Sequence, residues 1–196
     1  MTKHLWILLM CTVIAQATVK IIIPVNISDE TYILAAMDAQ VRQKYEVASQ
    51  YFKYLYLKTG QKEYLYDSLR MYESIKDSSV FSSVIKESLS DNPEDKMLLR
   101  FQLISLLKEG KYSEASLEAL LLSRQTKEST DYLLSAEALL KLGNYQSGYS
   151  ELKKAYEISY DEETADRIAL LMYTQLDKKQ EAITFLKDHI STHGNS

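Results

Sequence analysis

Few residues of this chain have the types and the spacing that chemistry requires. His189 and His193 are four positions apart, which can place two imidazoles on one face of a helix, where a zinc ion could bind them. No cysteine lies nearby to complete a zinc site, so we expect two surface histidines near a helix C-terminus, where the helix dipole favours them. The adjacent carboxylates of Glu162 and Glu163 are expected in a solvated turn. No metal site is predicted.

Motifs of the common enzyme classes are also missing. The sequence contains no Walker-type phosphate loop and no G-x-S-x-G elbow, and its few glycines sit mainly at predicted turns. Its 23 basic and 27 acidic residues are mixed along the chain and give a net charge of −4, so no basic stripe can neutralise phosphates. We therefore expect a non-enzymatic protein that needs no cofactor and does not bind nucleic acid.

An internal repeat indicates the elements that would position a binding surface. A turn position recurs every 33 or 34 residues, at Gln43, Lys76, Gly110, Gly143 and Asp177. Five residues after each turn comes a residue that is small in all repeats but one: Ala48, Phe81, Ala115, Gly148 and Ala182. Apolar residues at helical spacing surround these positions, and the chain has only two prolines. A period of this length predicts a stacked array of helix pairs.

The third and fourth repeats carry a more specific pattern. Segment 107–112 with Ala115, and segment 141–145 with Gly148 and Ala155, resemble the tetratricopeptide repeat (TPR) family, and an exported bacterial member of it in particular. The resemblance implies an all-α fold, a solenoid of about five antiparallel helix-turn-helix repeats. These repeats would span about 29–61, 62–95, 96–128, 129–162 and 163–190. A polar tail, 191–196, would follow.

The first 28 residues differ from the repeats. Lys3, an apolar run over 5–14 and the Ala15-Gln16-Ala17 site predict a signal peptide, 1–17, with cleavage after Ala17. The mature protein would be periplasmic or secreted and would keep no stable membrane span, since the run is too short to cross a bilayer. Retention as an anchor and lipidation of Cys11 are the alternatives.

Residues 18–28 are predicted to form an extended arm, because Pro24 excludes a helix through its β-branched residues. The arm would cover the apolar face of the first hairpin. Alternatively, it would be donated to the sheet edge of another chain.

Helical phase predicts which side chains line the concave groove that stacked hairpins form. The predicted partner-binding residues are Tyr66, Arg70, Arg100, Ile104, Leu133, Glu137, Arg167 and Leu171. Arginine can hold a carboxylate with two parallel hydrogen bonds, so the groove is expected to bind an extended or helical segment of another exported protein through apolar contacts and acidic groups. Alternatively, the arginines pair with Glu73 and Glu137 and only keep the groove soluble.

Three functions fit this scaffold. The first is a periplasmic adaptor that binds a partner polypeptide in the groove. The second is a structural subunit of an envelope complex, because no capping helix follows the last repeat and its uncapped surface could drive self-association. The third is a glycan-binding or small-molecule-binding module that uses the tyrosine-rich first two repeats, since the chain contains 15 tyrosines.

Overall fold

The computed structural model describes residues 28–75 and 78–193, and these form ten α-helices arranged as five hairpins. The helices are α1 Asp29–Val41, α2 Tyr45–Thr59, α3 Lys62–Glu73, α4 Ser78–Asp91, α5 Lys96–Lys108, α6 Tyr112–Thr126, α7 Ser129–Lys141, α8 Tyr145–Ser159, α9 Glu162–Thr174 and α10 Lys179–His193. No β-strand occurs in these two ranges. The predicted all-α solenoid of five helix pairs is confirmed.

In four of the five hairpins, the two helices are joined by a residue in the left-handed backbone conformation. The φ angle is 58° at Gln43, 73° at Gly110, 77° at Gly143 and 53° at Asp177. These are four of the predicted turn positions, and the other, Lys76, lies outside the described residues. Glycine adopts this conformation without strain, whereas Gln43 and Asp177 hold it against a steric cost.

The second helix of a hairpin ends in the same conformation in three repeats, at Gly60, Lys127 and Tyr160. The junction after α4 differs, because Pro93 cannot continue a helix. Asp95 then caps α5, and its carboxylate accepts hydrogen bonds from the backbone N–H groups of Met97 and Leu98 at 3.1 and 3.3 Å. These bonds satisfy donors that have no partner inside the helix.

The apolar core runs along the array, because each helix packs against its neighbours in sequence. Small residues at the repeated position after the turn let the helices of a hairpin approach closely. Ala48, Ala115 and Ala182 are buried there. Gly148 occupies this position in the fourth repeat, where a Cβ would lie 2.6 Å from the side chain of Leu140. A side chain at this position would therefore force Leu140 to move.

In the middle of the array, the first helices of successive hairpins lie closer together than the second helices, so the array curves towards the first helices. Among helices two apart in sequence, α3 contacts α5 and α5 contacts α7. In the described part of the chain, no two second helices make a comparable contact. We therefore call α1, α3, α5, α7 and α9 the inner helices, and the others the outer helices.

The tyrosines of the first hairpin pack against one another. Tyr32 is buried, and its ring centroid lies 6.2 Å from that of Tyr51 and 4.7 Å from that of Tyr54. Tyr32 therefore contributes to the core, whereas Tyr51 and Tyr54 are half-buried.

The two ends of the chain were predicted to be a signal peptide with an extended arm and a polar tail. Helix α10 continues to His193, so 191–193 are helical and do not form part of a polar tail. The predicted signal peptide and all of the predicted arm except Ser28 lie outside the described residues. Within the part that is described, no helix has the length and apolar character needed to cross a membrane.

Candidate protein-interaction groove

The eight predicted groove residues form two rows along four inner helices, α3, α5, α7 and α9. The first row occupies one position of the repeat: Tyr66, Arg100, Leu133 and Arg167. The second row lies four residues later, about one helical turn further along each helix: Arg70, Ile104, Glu137 and Leu171. The repeat therefore places the same pair of positions on each of these helices.

Arg100 connects two successive inner helices. Its Nε and one terminal nitrogen donate to the carboxylate of Asp131, both at 2.7 Å, and the same terminal nitrogen lies 2.5 Å from Glu128. The Asp131 side chain is 0% exposed and that of Arg100 is 14% exposed. Hydrogen bonds from its guanidinium to Asp131 raise the pKa of Arg100 above its ordinary value, against the opposing effect of burial. Arg100 is thus an inter-repeat tether, paired with neither Glu73 nor Glu137.

Tyr66 has the same role one repeat earlier. Its hydroxyl donates to the carboxylate of Asp95 at 2.8 Å, and Lys62 pairs with that carboxylate at 2.7 Å. Burial, together with this hydrogen bond, raises the pKa of Tyr66 to about 12. The first-row residue of one repeat therefore holds the start of the next inner helix in both cases.

Five of the eight residues remain accessible to a partner, two of them apolar and three charged. Ile104 and Leu133 are half-buried. Arg70 is exposed and pairs only with Asp67 on its own helix, at 2.5 Å. Glu137 and Arg167 form no hydrogen bond or ion pair within 28–75 and 78–193.

Leu171 differs from the other seven groove residues. It is buried in the apolar cluster of the last two repeats, so it offers little surface to a partner. We call the set Arg70, Ile104, Leu133, Glu137 and Arg167 the open groove.

The charges of the open groove are widely separated. Arg70 lies on α3 and Arg167 on α9, three repeats away. Neighbouring helices pack about 10 Å apart, so the axes of α3 and α9 are about 30 Å apart along the array. An extended peptide covers this distance with about nine residues. Between them the groove has an apolar surface and one carboxylate, that of Glu137.

Comparison with known proteins shows the fold. No protein-family model and no curated protein matches the sequence. The structure is similar to that of MamA from Desulfovibrio magneticus RS-1, with a TM-score of 0.66 and 16% identity over 83% of this chain and 93% of that one. It is also similar to a thermophilic TPR protein from Thermus thermophilus, with a TM-score of 0.65 and 13% identity over 86% of this chain and 93% of that one. The fold is that of a TPR solenoid.

The last two repeats of this TPR solenoid contain a buried histidine. The His189 side chain is buried, and its Nδ1 lies 2.8 Å from the hydroxyl of Tyr156. The prediction of a surface histidine is wrong for His189, because the ring of Tyr156 packs against it with centroids 5.6 Å apart. His193 stacks on Tyr160 with ring centroids 4.6 Å apart. No group of three or more metal-ligating side chains occurs in the described ranges.

The convex side of the TPR solenoid has an apolar cleft of about 470 Å³ between α4 and α5. Ile85, Leu89, Leu99 and Leu106 line it, and Gln102 is among its polar groups. Among the described residues, the outer helices α4 and α6 do not pack closely against each other, which leaves one face of α5 accessible beside the cleft. If the chain bound a small molecule, this cleft would be a better place for it than the tyrosines of the first hairpin.

Sequence reasoning did not find the two carboxylates that hold the groove together. Asp95 and Asp131 lie just before and within the first turn of α5 and α7. One signal could have identified Asp95 and Asp131. Each is a carboxylate at the start of an inner helix, about 30 residues after a tyrosine or arginine of the first row.

Proposed function

We propose that this protein is a non-enzymatic scaffold whose open groove binds a segment of another polypeptide. The observation that carries the proposal is the unpaired state of Glu137 and Arg167 in the described structure, beside half-buried apolar side chains on a concave surface. Extended concave surfaces are the binding surfaces that solenoid proteins use. The chemistry needs no metal and no cofactor, and a net charge of −4 does not favour nucleic acid.

The charges of the open groove specify the partner. Two arginines on helices about 30 Å apart suit an extended segment with acidic side chains about nine residues apart. Apolar side chains between them would contact Ile104 and Leu133, and a basic residue would face Glu137. Tyr66 and Arg100 are excluded from this recognition, because their polar groups are already bound to the next repeat.

The bacterial periplasm is the proposed location, on the basis of the signal-like sequence over 1–17. The partner is then another exported protein. Self-association through the last repeat is the second part of the proposal and would make the protein a structural subunit as well as an adaptor. Cell fractionation and N-terminal sequencing of the mature protein test the location, with Thr18 expected as the first residue.

Photo-crosslinking tests the groove. A photoreactive residue at Leu133 is expected to capture a partner in the native envelope, and the variant R70E/R167E should abolish the capture. The matched control is R124E/K153E, which makes the same change of charge at exposed positions on outer helices and should leave capture unchanged. Equal capture by both variants would show that the groove arginines do not recognise the partner.

A further inference from the structure

One face of the last hairpin exposes four large apolar side chains. Leu170 and Tyr173 on α9 are 64% and 49% exposed, and Ile183 and Ile190 on α10 are 43% and 65% exposed. An apolar hollow of about 340 Å³ lies between the two helices on this face. We call this surface the tail face.

The preceding repeat buries the equivalent positions. Thirty-four residues earlier in sequence, the four positions are occupied by Ala136, Leu139, Tyr149 and Tyr156. Three of these are buried and Tyr149 is half-buried, because the next hairpin packs on them. The tail face therefore has the composition of a surface that another hairpin covers.

At the opposite end of the solenoid, the first hairpin carries a charge at a position that the later repeats bury. Met71, Ser105, Ala138 and Met172 occupy one repeat position at which each faces the preceding hairpin, and all four are buried. In the first repeat that position holds Asp38, which is exposed and paired with Arg42 at 2.9 Å. Stacking the tail face of one copy on the first hairpin of another would bury this carboxylate against apolar side chains. This carboxylate disfavours head-to-tail growth into a filament, although Leu34, Met37 and Val41 on the same helix are exposed apolar side chains.

The charges of the tail face are complementary to themselves. Asp166 lies at one end of the hollow, whereas Lys179 lies at the other end, with its ammonium 5.3 Å from the centre of the Tyr173 ring. A two-fold axis through the middle of the face would bring Asp166 of each copy next to Lys179 of the other, so the dimer would contain two such pairs. A surface that complements itself in this way forms closed dimers.

We propose that two copies of this chain pair tail to tail, through α9 and α10, as a closed two-fold dimer. The inference deepens the self-association named under the proposed function. The dimer buries the tail face and leaves the open groove of each copy accessible, since the groove lines the inside of the curve. A partner with two recognition segments could then bind both copies.

Sedimentation equilibrium of the mature full chain tests the dimer. The unmodified chain is expected to dimerise, and L170E/I183E should be monomeric. The matched control is L117E/L121E, which places two glutamates on α6 at side chains that are 67% and 59% exposed, and it should remain a dimer. Circular dichroism checks that both variants stay helical. The proposal would be overturned if the unmodified chain were monomeric or if both variants lost the dimer equally. It would also be overturned if the mass kept growing with concentration.

Charge reversal tests the two-fold arrangement. D166K alone should weaken dimerisation by about ten-fold, because it places like charges opposite each other at two places. D166K/K179D should restore it. Failure to restore would refute the pairing.

Crosslinking from Leu133 in monomeric L170E/I183E separates this inference from the proposed groove. If that variant still captures a partner, the groove binds without the dimer. If even the dimeric chain captures no partner, the groove proposal alone fails.

Discussion

Replacing Arg100 with alanine should destabilise the protein strongly, although Arg100 belongs to a predicted binding row. The substitution leaves the fully buried carboxylate of Asp131 without its two hydrogen bonds at 2.7 Å. Breaking a buried pair by removing one partner costs about 3–5 kcal/mol. Asp131 keeps one hydrogen bond, from Thr126 at 2.5 Å, and lies in the first turn of α7, where the dipole favours a carboxylate. We therefore expect about 3 kcal/mol, the lower end of that range.

Urea unfolding followed by far-UV circular dichroism measures this loss, and the slope of the transition shows whether the array still unfolds as one unit. The control is R70A, whose exposed pair with Asp67 should contribute less than about 1 kcal/mol. The double variant R100A/D131N should recover part of the loss, because it removes the buried charge as well. If R100A were no more destabilised than R70A, the assignment of Arg100 as an inter-repeat tether would be wrong.

Three further predictions concern the hairpin turns, Asp95 and Tyr156. Replacing Gly143 with alanine should lower the free energy of unfolding by about 1 kcal/mol, and Gln43→Gly should raise it by up to about 1 kcal/mol, because both backbones are left-handed. The midpoints of urea unfolding measure both changes. A more stable Gly143→Ala variant or a less stable Gln43→Gly variant would refute the strain argument. Although burial alone would raise the pKa of Asp95, hydrogen bonds from its lysine and tyrosine neighbours lower it below its ordinary value of about 4. The stabilising contribution of Asp95 is therefore present above that pH and is lost as the pH falls through the lower folded-state pKa. In urea unfolding at neutral to acid pH, the free energy of unfolding of D95N should decrease less with falling pH than that of the unmodified chain. Replacing Tyr156 with phenylalanine removes the hydroxyl that bonds buried His189 and should cost about 1 kcal/mol, measured by thermal unfolding, whereas an unchanged midpoint would mean that this bond contributes nothing.

Most of the architecture could be predicted because it repeats. The recurrence of Gly110 and Gly143, with apolar residues at helical spacing, determines a helix pair and its turn from local preferences alone. The position of Gln43 could be predicted as a turn although it is not glycine, since the period carries the information when the residue type does not.

The candidate site was only partly predictable. The period correctly places Arg70 and Glu137 at equivalent positions of different inner helices. It cannot say that Arg100 is tethered while Arg167 has no partner in the described residues, because that depends on which side chain of the next repeat reaches it. Leu171 occupies a groove position by phase, yet it is buried by the packing of the last two repeats.

By itself, the sequence determined the helix pairs, their number and the place of the four turns that the structure describes, because these follow from contacts between residues a few positions apart. Only the tertiary structure decided which polar groups are available to a partner. Arg100 and Asp131, or Tyr156 and His189, are more than 30 positions apart and meet only after the hairpins stack. Stacking removes water from these groups and gives each a specific partner, and no local pattern contains that information.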